Sequence, residues 1–319
     1  MLRRHATGFT GSVASSSDDR DGCGVLTIFT VPKPFEGHVG IIQKNAIGSW
    51  KRLRPECQVI LCGDEPGTKE VAAELGAKWV PAVERNEFGT PLVSSVFRLA
   101  EERAAHRVLC YVNADIVLLS DFIAAGRTVA AAKRRFLMVG QRWDLDITEQ
   151  LALDDDWEAQ LRERVKLAGT LHPAWGSDYF VYPRGTIGPL PPFAVGRPGW
   201  DNWMIYRARS RRIAVVDASA CTVVIHQNHD YGHVRGGTGG TFEGPEAVLN
   251  LALIGDASRL FTPSDATHRL TSAGLDPLRG WTIDDLKRRV RAEGRVLAPR
   301  PLRAVYRALV RAKKVLWGS

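Results

Sequence analysis

Apolar residues along the chain fall into short runs separated by segments of helical spacing, and this alternation predicts its elements. Gly24 to Val31 reads as a first strand. After the loop Pro32 to Gly37, the spacing of Ile41, Ile42, Ala46, Ile47 and Trp50 predicts a helix. Gln58 to Cys62 reads as a second strand, closed by Gly63-Asp64-Glu65-Pro66-Gly67, with Thr68 as cap of a helix over Lys69 to Leu75. Lys78-Trp79-Val80 makes a brief third strand. The loop Arg85 to Pro91 then leads into an amphipathic helix over Leu92 to Ala105. The run Val108 to Leu118 reads as one buried central strand with Asn113 and Asp115 at its carboxyl end. Asp121 is the expected cap of a helix over Phe122 to Lys133, and Phe136 to Gly140 is the next strand. Strands and helices in this order predict an α/β fold with a doubly wound, mixed and mainly parallel sheet.

From Thr148 the pattern changes. Thr148 to Ala168 is acidic and helical in spacing, and aromatic and glycine punctuation then takes over. Three segments carry it: Trp175-Gly176-Ser177-Asp178 into Tyr179 to Pro183, Gly196 to Trp203, and Ile225 to His233. The chain divides into a polar lead-in over 1–23, expected to be disordered, a main domain over 24–270, and a basic helical extension over 271–319. In the extension, Leu302, Val305, Tyr306, Leu309, Ala312 and Leu316 recur at helical steps, with Arg303, Arg307, Arg311 and Lys314 on the other side. Such a helix either lies on an anionic membrane surface or docks on the body with its charges in water.

Composition changes this picture in three ways. A chain of 319 residues has ample core for one large α/β domain. The net charge of +8 invites a nucleic-acid partner, but Lys287 onward carries eleven Lys and Arg against one acid, so the rest of the chain is at −2. A body so close to neutral lacks the cationic face that a phosphate backbone requires. The five cysteines (Cys23, Cys57, Cys62, Cys110, Cys221) are scattered without a CxxC pair, which points to a reducing compartment and against a zinc ribbon. No uncharged apolar run reaches the roughly 18 residues of a membrane span. The reading therefore places the chain in the cytoplasm, with the inner face of the membrane as the place where its tail would hold it.

The candidate chemistry lies at strand ends, where open α/β sheets bind ligands. Residues two apart on an extended chain point the same way, so Asn113 and Asp115 would both reach one hard cation or its water shell, unless they only form an Asx turn. Asp64, after the second strand, is a candidate for a ribose or base, or a solvated turn former. Asp201 heads a helix and is either its cap or a base. Trp200 and Trp203 are either core or stacking faces for a sugar ring. His226, His229 and His233 lie within eight residues of one another without the ligands of a closed zinc site, and His226 or His229 would give one ligand to a metal at Asp115. His233 and Arg235 are candidates for phosphate contact.

In order along the chain, Asn-Ala-Asp, Gly-Ser-Asp and Gly-Trp-Asp followed by a His-rich strand end resemble the GT-A fold of nucleotide-sugar-dependent glycosyltransferases. The resemblance covers roughly Leu26 to His233, with Asn113 in place of the first acid of the DxD motif. It implies a sugar transferred from a nucleoside-diphosphate donor to an acceptor hydroxyl, with Mn²⁺ or Mg²⁺ bridging the phosphates. It implies Asp115 as a metal ligand, Asn113 beside the ribose or a metal-bound water, and Gly176-Ser177-Asp178 as the glycine loop at the sugar. Asp201 would be the acid that deprotonates the acceptor or holds the sugar. Thr30 and the loop to Phe35 would hold base and ribose, with Lys33 and Arg85 as phosphate candidates. A membrane-held transferase of this kind fits lipid-linked or surface-polysaccharide acceptors. The rival readings are a nucleotidyltransferase, disfavoured by Pro-Lys-Pro-Phe where a glycine-rich phosphate loop is expected, and a non-catalytic carbohydrate- or nucleotide-binding protein.

Overall fold

The first strand, β1 (Leu26–Thr30), is buried at all five positions, which requires cover on both faces. In the computed structural model, which describes residues 26–229 and 243–278, that cover comes from helices on either side of a nine-stranded sheet. Strand β1 is followed by α1 (Gly37–Arg52), β2 (Gln58–Cys62), α2 (Thr68–Glu74), β3 (Lys78–Val80), α3 (Val93–Arg103) and β4 (Val108–Val112). Then come β5 (Ile116–Leu118), α4 (Ser120–Ala132), β6 (Phe136–Val139), β7 (Trp143–Leu145), α5 (Trp157–Ala168), β8 (Thr170–Leu171) and β9 (Tyr179–Pro183). The described chain closes with α6 (Trp200–Ser210), β10 (Ala214–Asp217), β11 (Val224–Gln227), α7 (Pro245–Ile254), β12 (His268–Thr271) and β13 (Gly274–Pro277).

The large sheet has the order β13-β12-β10-β6-β9-β4-β1-β2-β3. Strand β9 runs antiparallel to β4 and β6, and β13 antiparallel to β12, while the other pairings are parallel. The expected mixed, mainly parallel α/β sheet is thus present. Alternate strand residues feed two apolar layers. Phe29, Tyr111, Leu137 and Phe180 face a layer with Phe97, Trp200 and Met204, while Ile28, Cys110, Met138 and Val181 face one with Ala46, Trp50 and Phe122. Cys57, Cys62 and Cys110 are free and buried, as small core hydrophobes.

The central run departs from the expected single strand. Strand β4 stays in the large sheet, but at Asn113 the chain turns, and β5 joins a second sheet of order β5-β11-β7-β8. The Ile116 amide donates to the Asn113 carbonyl at 3.2 Å, closing that turn. Hydrophobicity runs on through the break because both strands are buried, so only the Asn marks it. Beneath the small sheet, Trp157, Leu161 and Val165 of α5 pack on Val117, Leu145 and Ile225 in a third apolar cluster. The helical spacing expected from Thr148 becomes helix only at Trp157.

Two capping expectations also change. Thr68 begins α2, and the cap position belongs to Gly67 at φ +82°. Asp121 lies in the first turn of α4, where it accepts from Arg162 and from the Val223 amide. The β12–β13 hairpin carries the sheet on to Pro277, past the boundary expected at residue 270, because a two-stranded edge with mixed polarity has no strong apolar signature. The polar lead-in, His233 and Arg235, and the amphipathic stretch over 299–319 lie outside the described residues.

Candidate metal and transfer site

The small sheet builds the first half of the site. In its register His226 on β11 stands directly beside Asp144 on β7 and opposite Ile116, next to Asp115. The backbone at Asp115 is pinned: its carbonyl accepts from the Gln227 side chain at 3.1 Å, and the next carbonyl, of Ile116, accepts from Trp50 Nε1 at 2.9 Å. Gln227 is itself fully buried and fixed by Asn45 and Ile42 of α1. These contacts fix the backbone from which the Asp115 carboxylate projects.

Asp115, His226 and His229 offer ligand atoms that all lie within 4.8 Å of one another. His229 Nε2 is 3.1 Å from Asp115 Oδ2, and Lys33 Nζ is 3.3 Å from His229 Nε2 and 3.8 Å from Asp115 Oδ2. Burial acts to raise the Asp115 pKa. The hydrogen bond with His229 and the charges of His226, Lys33 and His229 outweigh it, and hold the carboxyl well below the usual range. Burial also pulls the Lys33 ammonium down, against the opposing pull of Asp115. Asp115 Oδ1 is enclosed and has no hydrogen-bond partner among the described residues. An orphaned carboxylate oxygen beside two imidazoles fits a divalent cation. With two nitrogen donors the set suits Mn²⁺ better than Mg²⁺, which prefers oxygen throughout.

Behind these ligands runs a hydrogen-bonded chain that sequence reasoning missed. Asp144 Oδ1 lies 3.2 Å from His226 Nδ1, off the straight line of a hydrogen bond, and Oδ2 lies 2.7 Å from His172 Nδ1. Arg142 donates to Asp144 Oδ1 at 2.9 Å and to Asp178 Oδ2 at 2.6 Å. Asp178 Oδ1 accepts from Asn113 Nδ2 at 2.8 Å, and Asn113 Oδ1 accepts from the Tyr111 hydroxyl at 3.0 Å. Burial works to raise the Asp144 pKa, but His226, His172 and Arg142 hold it well below the usual range. The signal for this chain in the sequence is Gln141-Arg142-Trp143-Asp144, directly after the strand expected over Phe136 to Gly140.

This arrangement corrects the expected shared face of Asn113 and Asp115. Its amide is engaged on both sides within the protein, and it sits in a turn, so it does not share an extended face with Asp115. Asp178 likewise serves Arg142 and Asn113, while Ser177 Oγ and Thr30 Oγ1 are enclosed without partners among the described residues. Gly176 packs closely on His172, and a Cβ there would lie 2.9 Å from His172 Nε2, so the ring would have to shift.

Asp201, in the first turn of α6, forms the second half. Gly199 before it has φ +90°, and a Cβ there would lie 2.6 Å from Ile254 Cδ1, so only glycine lets the helix start against α7. Burial pushes the Asp201 carboxyl up to about 6, helped by the charge of Asp178. Backbone amides of Asn202, Ser177 and Asp201 that donate to it pull the other way. Burial raises the Tyr111 phenol, and the charges of Asp115, Asp178 and Asp201 add to it, which places all three carboxylates within electrostatic reach of one ring.

Of the two readings of Trp200 and Trp203, core or stacking faces, the structure shows core. Trp200 is 6% exposed, edge-on to Tyr111 at 5.1 Å, and Trp203 is 7% exposed against Phe193 at 5.3 Å. Helical spacing puts both rings on the inner face of α6. The exposed ring beside the site is Trp175, at 62%, which meets His172 edge-on at 4.8 Å and whose carbonyl accepts from Asn202 at 3.1 Å. Asp64 and Arg85 are brought together at 2.5 Å, with Arg85 also 2.9 Å from Glu65, at the rim where β2 and β3 end.

No protein-family model matches the chain, and no curated protein matches it in sequence. Among solved structures it is similar to glucosyl-3-phosphoglycerate synthase of Mycobacterium tuberculosis, at 16% identity and a TM-score of 0.44, over 74% of this chain and 80% of that one. The same enzyme in complex with Mn²⁺, UDP and glucosyl-3-phosphoglycerate is matched at 15% identity and 0.43, over 74% and 80%. GalNAc-T7, crystallised with UDP, GalNAc and Mn²⁺, is matched at 14% identity and 0.47, over 72% of this chain and 48% of that one. The α/β class rests on the strand order itself. Among the described residues, no helix is long and apolar enough to cross a membrane.

Proposed function

We propose that this chain is a glycosyltransferase that moves a sugar from a nucleoside-diphosphate donor to an acceptor hydroxyl, with a divalent cation held by Asp115, His226 and His229. The observation that carries the reading is the orphaned, ionised Asp115 oxygen beside two imidazoles, linked through Asp144, Arg142 and Asp178 to the surroundings of a carboxyl tuned to about 6 at Asp201. A cation at Asp115 supplies Lewis-acid stabilisation of the charge that gathers on a departing diphosphate.

The protein's own residues do the rest. Lys33, beside Asp115 and His229, meets the phosphates. The enclosed hydroxyls of Thr30 and Ser177 have hydrogen bonds to give to donor hydroxyls. Asp64, with Arg85 against it, stands where base or ribose would lie. Asp201 accepts the acceptor's proton, and a pKa near 6 leaves it ionised at neutral pH yet basic enough to take that proton. Trp175 offers the acceptor sugar the aromatic face that Trp200 and Trp203 do not. A cytoplasmic place, contact of the C-terminal segment with the inner membrane face, and lipid-linked or surface-polysaccharide acceptors complete the proposal.

Thermal shift with UDP-, GDP-, dTDP- and CDP-sugars, each with and without Mn²⁺, tests it, because a ligand of the folded state raises its apparent stability. One nucleotide that stabilises the chain only with Mn²⁺ is the expected result. No shift with any of them would remove the reading.

A further inference from the structure

Helix α7 exposes an apolar face. Its buried side carries Glu246, Ala247, Asn250 and Ile254, while Pro245, Val248, Leu249, Leu251, Ala252 and Leu253 face outward. Val248 is 60% exposed, Leu249 47%, Leu251 48% and Leu253 39%. The inward polar groups hold the helix to the body. Glu246 pairs with Arg197 at 2.5 Å and accepts from Asn86 at 2.6 Å, and Asn250 exchanges hydrogen bonds with the Ala194 backbone at 2.8 and 3.1 Å. An outer face without a single polar side chain costs solvation in water, and contiguous exposed patches of this kind mark contact surfaces.

We infer that the outer face of α7 inserts its aliphatic side chains into the interface of an anionic lipid bilayer, acting together with the basic C-terminal segment. Three observations choose lipid over protein. A helix of ten residues is about 15 Å long, so its outer face offers a few hundred Å² at most, short of the roughly 800 Å² per partner of a stable dimer. The outward set has no aromatic ring and no arginine, the anchors that protein interfaces use, only aliphatic groups. The third is the charge of the sequence that follows Leu278, the last described residue.

The segment that follows carries eleven Lys and Arg from Lys287 onward against one acid. The exposed carboxylates that flank α7, Glu243 and Asp256, are two, far too few to neutralise that charge, whereas an anionic bilayer can. An apolar patch joined to a polybasic segment satisfies the two-signal requirement for stable membrane attachment. This rests on the membrane contact proposed above but not on sugar transfer, since lipid binding is read without donor, acceptor or turnover.

The test is co-sedimentation of the full chain with vesicles of phosphatidylcholine alone and of phosphatidylcholine and phosphatidylglycerol in equal parts, with carbene footprinting of α7 in each. The chain should bind the anionic vesicles, with labelling of Val248 to Leu253 reduced several-fold on them. The Leu249→Glu/Leu251→Glu variant should keep the native melting temperature and lose about tenfold or more in partition, as expected for two buried leucines exchanged for charge. Binding unchanged in that variant, or no binding of the native chain, would overturn the inference. So would an α7 face already protected without vesicles: dependence on protein concentration would assign it to a second copy, and loss of protection in Leu309→Glu to the chain's own C-terminal segment.

Discussion

Asp115 is buried and Asp201 half-buried, and the protein drives the two carboxylates in opposite directions. Around Asp115 stand His226, His229 and Lys33, so the cost of burying its charge is more than offset and the group stays ionised. Around Asp201 stand backbone amides and the like charge of Asp178, so burial prevails and the carboxyl rises to about 6. Burial alone would raise both; the sign is decided by which partners the fold brings. Pairs of titratable groups pushed apart in this way divide the labour of a site between a charge that is held and a proton that moves.

The sharpest way to break the contrast is to remove the held charge. Asp115→Ala should abolish Mn²⁺ binding by titration calorimetry and lower kcat/KM by about three powers of ten or more, the scale of several kcal/mol of lost charge stabilisation. Next is the moving proton. Asp201→Asn should lower kcat/KM by about two to four powers of ten while Mn²⁺ affinity stays native. In the native chain, kcat/KM should fall as pH drops through about 6, where Asp201 becomes protonated.

Stability should show the reverse sign. The folded Asp201 pKa lies near 6, above its ordinary 3.8, so ionisation disfavours the folded state as pH rises between those values. Denaturant melts should therefore find Asp201→Asn more stable than the native chain above pH 6, with the advantage gone near pH 4. That combination of higher stability and lost activity separates a tuned base from a helix cap, whose loss would destabilise.

Smaller effects test how each carboxylate is supported. Asp144→Asn weakens the carboxylate behind His226 and should raise the Kd for Mn²⁺ by about 10–100-fold, the usual consequence of losing a ligand-orienting partner. Asp178→Asn takes a negative charge from beside Asp201, so the acid limb of the pH profile should move to lower pH. A limb that stays at its native position would show that burial alone sets the Asp201 value.

Much of this was legible in the sequence because the relevant residues sit where pattern and chemistry agree. The strand-helix alternation from Leu26 to Val139 is strongly periodic, and the parallel sheet follows from it. Asp115, His226 and His229 were readable because a polar group ending an apolar run is conspicuous. What was not legible is pairing between distant segments. Nothing local in Trp143-Asp144-Leu145 or Val224 to Gln227 says that these strands lie side by side, yet that register brings His226 beside Asp144. The Asn113 turn was hidden by burial on both sides of it, and the fate of Trp200 and Trp203 depended on which face of α6 the sheet would cover.

The most direct test of the account is calorimetric titration of Mn²⁺ into the native chain and Asp115→Ala, with and without a saturating nucleoside diphosphate. One Mn²⁺ site that vanishes in the variant and tightens when the diphosphate is present would establish Asp115, His226 and His229 as the place where metal and donor meet. A diphosphate that binds equally well without Mn²⁺, or a Mn²⁺ site indifferent to Asp115, would contradict it.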